Sequence, residues 1–246
     1  MNSLSFATPS PTTSSSGTPF LALPGTELAQ LVSKRRELAA LPTGDGHSVI
    51  VTPGLLATDG STALLRRFLR SKGYEATGWH QGLNRGTEAQ FDGLIPIVER
   101  AAEVSGRPVS LIGWSLGGIA ARWATFHVPD AVRQIITLGS PFNQNPVDRP
   151  VIFPLYSALS GMKADFFTDE RVAGYRNRPA VPSTSIVSRD DRVAPPASGY
   201  EPLSDTSETI QIRGSHSGLS HNPDVWAIVA DRLAQPEGEW RPLPQD

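Results

Sequence analysis

Gly113-Trp114-Ser115-Leu116-Gly117 fits the pattern G-x-S-x-G, and a third glycine, Gly118, follows. A serine hydroxyl attacks an acyl carbonyl only with help. A base must take its proton, an acid must hold that base, and N–H donors must meet the oxyanion. The residues before Ser115, VSLIG, read as a strand, and those after it, LGGIAARWATF, read as a helix. A serine between them sits on a sharp strand-to-helix turn. Gly113 and Gly117 leave room for the turn, and Gly118 permits close packing of helix on strand. The turn presents the Ser115 hydroxyl at the carboxyl end of a sheet. It also places the Leu116 N–H at a helix N-terminus, where negative charge is stabilised. The plain alternative is a small residue in a tight turn.

The base must come from five histidines, His47, His80, His127, His216 and His221. His47 opens a strand and His127 ends a helix, positions that suit structural or exposed roles. His80 lies in a loop after a strand and could border a site. His216 lies in RGSHSGLSHNP, between the last strand and the last helix, where a loop reaches the same face as Ser115. His221 shares the loop but adjoins Asn222-Pro223, which look like helix-entry residues. His216 is therefore the better base. The acid is sought in SRDDRVAP, residues 188–195, which follows the strand TSIV and precedes the histidine. Either Asp190 or Asp191 could serve, the other pairing with a neighbouring arginine; Asp191 is the choice. A second oxyanion donor is available after the first clear strand, where Gly54 in TPGLL lets the chain turn and the Leu55 N–H can point inward.

These residues need a scaffold that gathers loops at one end of a sheet. Glu27 to Leu41 has helical spacing at Leu28, Leu31, Val32, Leu38 and Leu41. HSVIV, 47–51, is a short β-branched strand. A helix over 61–72 with Leu64, Leu65, Phe68 and Leu69 on one side precedes a strand over 74–79. Thr87 caps a helix running to about Val104, although Gly93 and Pro96 disfavour it. Strands at 109–112, 134–138, 184–187 and 209–212 and helices at 116–126 and 223–233 complete the alternation. Alternating strands and helices predict an α/β fold, a mostly parallel sheet covered by helices on both faces. The alternation breaks over 141–182, a Pro- and Arg-rich stretch with several aromatics that reads as an insertion at one sheet edge. The loop Trp79 to Gly86 could wall a pocket through Trp79, His80 and Asn84, or simply be exposed.

With 246 residues, the chain can bury one large core. Residues 1–19 are Ser/Thr/Pro-rich and read as a flexible arm before a domain over 20–246. The net charge is −2, with Lys and Arg scattered, so a nucleic-acid partner has no electrostatic support. The chain has no cysteine, which removes disulfides and thiolate chemistry together. The first residues lack the basic and apolar regions of a secretory signal, and no apolar run reaches transmembrane length, so a cytoplasmic protein is expected. The oligomeric state is not legible.

PGLL, GWSLGG, SRDDRVAP and GSHSGLSHNP, in that order, resemble the α/β-hydrolase superfamily, specifically its bacterial esterase/lipase branch. The likeness covers roughly residues 45 to 235 at the level of motif order. Acid loops in that family usually read small-x-x-Asp-x-x-x-Pro, which implies Asp191 as the acid. Many relatives have His-Gly at the oxyanion loop where this chain has Pro53-Gly54. The glycine and the N–H after it are kept. By the same likeness, 141–182 is a cap over the pocket. Its aromatics, among them Phe142, Phe153 and Tyr156, would line an acyl or alcohol site, with a hydrophobic mini-core as the alternative for Phe153, Tyr156 and Phe166. The implied activity is hydrolysis of a small-molecule carboxylic ester by Ser115, His216 and Asp191, with Leu55 and Leu116 as oxyanion donors and no metal or organic cofactor. The same triad could transfer the acyl group to another acceptor or cleave a thioester or lactone. A hydrolase fold kept only as a binding module is the rival of a different class.

Overall fold

The computed structural model describes residues 25–143, 157–158 and 169–244. One sheet of six parallel strands organises them: β1 (Ser48–Thr52), β2 (Glu75–Gly78), β3 (Val109–Trp114), β4 (Val132–Leu138), β5 (Ser183–Ser188) and β6 (Ser207–Ile212). Their order is β2-β1-β3-β4-β5-β6. Strands β4 and β5 are buried along their whole length. Helices cover both faces there, so no in-out alternation of polarity is needed. The polar side chains of β5 are accordingly satisfied. Ser183 donates to Glu201, Thr184 to Glu208, and Ser185 and Ser188 to the Gly199 and Gly214 carbonyls.

On one face, α3 (Ala63–Ser71) and α7 (Pro223–Leu233) pack Leu65, Phe68, Leu69, Val225, Trp226 and Val229 against Val49, Val51, Ile112 and Ile136. On the other, α4 (Glu88–Ser105), α5 (Leu116–His127) and α6 (Asp169–Arg176) pack against Ile50, Leu111 and Ile135. Helix α4 runs straight through Gly93 and Pro96. A Thr87–Gln90 capping box starts it and Gly106, in the left-handed region, ends it. The glycine has a packing reason: a Cβ at Gly93 would lie 2.6 Å from the Gln81 side chain.

The single helix expected over 27–41 is two, α1 (Gly25–Ser33) and α2 (Arg35–Ala40), broken at Lys34. The face of α1 is also turned from expectation. Glu27 is 3% exposed, whereas Leu28 and Val32 are 37% and 64% exposed. Within the expected cap, Phe142 and α6 belong to the second core layer, not to a pocket wall. The Arg122 guanidinium lies 3.8 Å from the Phe142 ring centroid, pairs with Glu201 at 3.0 Å, and ties α5 to α6 through the Tyr175 carbonyl at 2.5 Å. Phe153, Tyr156 and Phe166 and the arm over 1–19 lie outside the described residues. No helix among the described residues is long and apolar enough to cross a membrane.

Because β1 lies between β2 and β3, the chain reverses its direction of winding there. In an open parallel sheet such a reversal leaves a crevice at the carboxyl ends of the strands. TPGLL leaves β1 and GWSLGG leaves β3 at that point.

Candidate active site

Ser115 joins β3 to α5 with φ 54° and ψ −122°, a strained conformation for a residue with a Cβ. The surroundings hold it there. Its N–H donates to the Leu138 carbonyl at 2.8 Å. A Cβ at Gly113 would lie 2.3 Å from Gly118 Cα, and one at Gly117 would lie 2.5 Å from the Thr52 and Pro53 carbonyl oxygens. Neither position has space for any other residue, so the elbow depends on both glycines. Thr52 closes the joint by donating to the Gly117 carbonyl at 2.8 Å.

His216 Nε2 lies 2.9 Å from Ser115 Oγ, and His216 Nδ1 lies 2.5 Å from Asp191 Oδ2. A carboxylate can only accept, so Nδ1 carries the imidazole proton and Nε2 is left to accept from the serine hydroxyl. The Asp191 side chain is fully buried and that of His216 is 13% exposed. The other Asp191 oxygen accepts from the Val193 and Ala194 N–H groups, both at 2.8 Å, which fixes the carboxylate without a counter-charge. Among the described residues Asp190 pairs with no arginine, contrary to the pairing expected of the second aspartate. It accepts from the Gly214 N–H at 3.1 Å and steadies the histidine loop from behind. Gly139, after β4, lies beneath the pair: a Cβ there would lie 3.1 Å from Asp191 Oδ2 and 3.4 Å from His216 Nδ1.

The Pro53-Gly54-Leu55 loop abuts the serine. A Cβ at Gly54 would lie 3.3 Å from Ser115 Cβ and 3.1 Å from the Trp114 ring. The Leu55 N–H meets no acceptor among the described residues, and the Leu116 N–H opens α5, where helix geometry leaves it unpaired. Trp79 and Asn84, in the loop that could wall a pocket or be exposed, are both fully buried. Trp79 donates its indole N–H to the Gly82 carbonyl at 3.1 Å. Asn84 clamps the Pro53 loop: its side-chain amide donates to the Pro53 carbonyl at 2.7 Å, and its backbone exchanges hydrogen bonds with Leu56 and Ala57. Leu56 takes a positive φ of 55° in consequence.

Two further contacts around the histidine loop escaped sequence reasoning. Trp114 donates its indole N–H to the His216 carbonyl at 3.0 Å. Glu27 accepts from the Ser215 N–H and hydroxyl at 2.8 and 2.7 Å. No spacing marked Glu27, which lies 188 residues from its partner. Gly139-Ser140, a pair of small residues directly after a strand, is the sequence signal for the close packing beneath His216 and Asp191.

The remaining histidines stay apart from this cluster. His80 and His127 are exposed. His221 is half-buried against Ser220 Oγ, and the cap of α7 is Asn222, which accepts from the Asp224 N–H. His47 forms a second set: Nδ1 lies 2.5 Å from Asp45 Oδ1 and Nε2 lies 2.8 Å from Ser110 Oγ. These residues sit at the amino ends of β1 and β3, away from Ser115. The His47 side chain is fully buried, and Arg107 and Arg133 hold the same Asp45 carboxylate. An acyl carbonyl cannot reach a serine sealed in this way, whereas Ser115 is only half-buried. Among the described residues no cluster of His, Asp and Glu could hold a metal ion.

Residues 94–228 match the PGAP1-like alpha/beta domain, a span containing Ser115, Asp191 and His216. No curated protein matches the chain in sequence. Among solved structures, the chain is similar to Aspergillus fumigatus lipase B, with TM-score 0.61, 19% identity, and coverage of 82% of this chain and 56% of that one. It thus spans little more than half the length of that lipase. Paleococcus ferrophilus monoacylglycerol lipase follows with TM-score 0.57, 16% identity and coverage of 79% and 96%. Naproxen esterase from Bacillus subtilis has TM-score 0.52, 16% identity and coverage of 87% and 98%. At such identities these likenesses establish the α/β-hydrolase fold alone.

Proposed function

The chain belongs to the family of PGAP1-like α/β domains, and from that premise we propose that it is a serine hydrolase of carboxylic esters. The observation that carries the reading is the pair of distances at His216, 2.9 Å to Ser115 Oγ and 2.5 Å to Asp191 Oδ2. His216 takes the Ser115 proton as the oxygen attacks the ester carbonyl. The N–H groups of Leu55 and Leu116 receive the developing oxyanion. Collapse expels the alcohol, which takes its proton from His216. Water activated by His216 then releases the acid and restores the serine. Asp191 holds the tautomer and stabilises the imidazolium throughout. The fold, the family and the names of the structural neighbours support ester chemistry.

The test is hydrolysis of p-nitrophenyl acetate and butyrate by the wild type and Ser115→Ala, beside covalent labelling by a fluorophosphonate. The expected outcome is labelling at Ser115 and loss of turnover in the variant. Wild-type turnover by Ser115→Ala overturns the assignment.

A further inference from the structure

Glu27 stands in the first turn of α1, nearly 90 residues before Ser115 and outside residues 94–228. Its burial is not a by-product of packing. Turning this face inward leaves Leu28 and Val32 in solvent and desolvates a carboxylate, both unfavourable, so specific bonds must hold the helix in this rotation. Glu27 Oε1 accepts from both the N–H and the hydroxyl of Ser215, and Oε2 accepts from the Thr26 hydroxyl at 2.8 Å. Burial pushes the Glu27 carboxyl up, but the hydrogen bonds from Ser215 and Thr26 outweigh it and leave it below its ordinary value. The Ser215 hydroxyl in turn accepts from the Gly218 N–H at 3.1 Å. A Cβ at Gly218 would lie 2.3 Å from Glu27 Cδ, so the turn is moulded on the carboxylate.

His216 is therefore gripped from both flanks. Glu27 holds the residue before it, and Trp114 holds its carbonyl from the side of β3. We propose that Glu27 is a positioning residue for His216, an N-terminal brace that keeps the imidazole in line between Ser115 and Asp191; this rests on the hydrolase reading above. It touches no reacting atom. What it supplies is an acceptor oxygen at one place, and misplacing a catalytic group by about 1 Å lowers rates by about 100-fold.

The experiment compares the wild type, Glu27→Ala, Glu27→Gln and Ser215→Ala on p-nitrophenyl butyrate, with active sites counted by stoichiometric fluorophosphonate labelling. Glu27→Ala is expected to lower kcat per labelled site about 10- to 100-fold with KM within about two-fold. Glutamine keeps the oxygen that takes both Ser215 bonds, so Glu27→Gln is expected within about three-fold of the wild type. Ser215→Ala, which keeps the N–H bond, falls between them. Amide exchange over 215–219 rises in Glu27→Ala and not in Glu27→Gln, a readout that does not depend on turnover. Wild-type kcat per labelled site in Glu27→Ala, unchanged exchange, or a glutamine variant as impaired as alanine overturns the brace. Absence of labelling in all four proteins, the wild type included, overturns the hydrolase reading instead and leaves exchange to decide the brace.

Discussion

Trp114 donates its indole N–H to the carbonyl oxygen of His216, so the residue just before Ser115 holds the backbone of His216. The two sides of the proposed proton transfer are tied together by a bond that neither Ser115 Oγ nor the imidazole makes itself. Trp114→Phe keeps an aromatic ring in place and removes only the donor. A hydrogen bond of this kind contributes about 1 kcal/mol, so kcat on p-nitrophenyl butyrate is expected to fall about five-fold with KM little changed. Steady-state kinetics per labelled site check it.

The two neighbouring aspartates should separate sharply. Asp191→Asn offers an amide where His216 Nδ1–H needs an acceptor, and kcat is expected to drop by three to four orders of magnitude, on the order of the effect known for such a tautomer change. Asp190→Asn retains an oxygen for the Gly214 N–H and should stay within about ten-fold of the wild type. A larger loss at Asp190 would reverse the assignment of the acid.

Asn84 tests the proposed oxyanion role of the Pro53 loop. Asn84→Ala removes the donor to the Pro53 carbonyl and is expected to cost about 1–3 kcal/mol of stability. Asn84→Asp, equal in size, points an acceptor at that carbonyl and should be worse than alanine in both melting temperature and kcat.

The buried His47 set should matter for stability and not for turnover. Ser110→Ala is expected to keep turnover near wild type while lowering the melting temperature, because His47 Nε2 loses its partner. Burial lowers the His47 pKa below 6.5; the hydrogen bond and charge of Asp45 oppose this, and the charges of Arg133 and Arg107 add to it, with the Tyr74 ring on a further side. The folded state thus favours neutral His47, whereas the unfolded chain takes up a proton as pH falls through 6.5. The stability is full above that value and lost as pH falls towards the folded pKa. His221, also lowered by burial, has the same sign. Melting temperatures between pH 7.5 and 5 should fall in the wild type and less steeply in His47→Gln.

Much of this was legible in the residues. GWSLGG carries its own constraints, since only glycine fits at Gly113 and Gly117, and strand–helix alternation in QIITL, TSIV and TIQI dictates a parallel sheet. Because every strand of such a sheet points the same way, loops after β1, β3, β5 and β6 had to share one end. That alone brings Pro53-Gly54, Ser115, Asp191 and His216 to one end of the sheet. Local chemistry and handedness, which act over a few residues, decided those features.

Tertiary structure alone decided the rest. Helical periodicity marked Leu28, Leu31 and Val32 as the inner face of α1, yet Glu27 turned inward, because two bonds from Ser215 exist only once the chain ends have met. Asn84 and Trp79 lie in a loop whose sequence allows a pocket wall or plain exposure, and packing makes them buried supports; Asp45, His47 and Ser110 repeat a Ser–His–Asp geometry without access. Burial and long-range pairing are properties of the packed molecule. A one-dimensional pattern names the groups that can react; only packing decides which of them are held in line and which are sealed away.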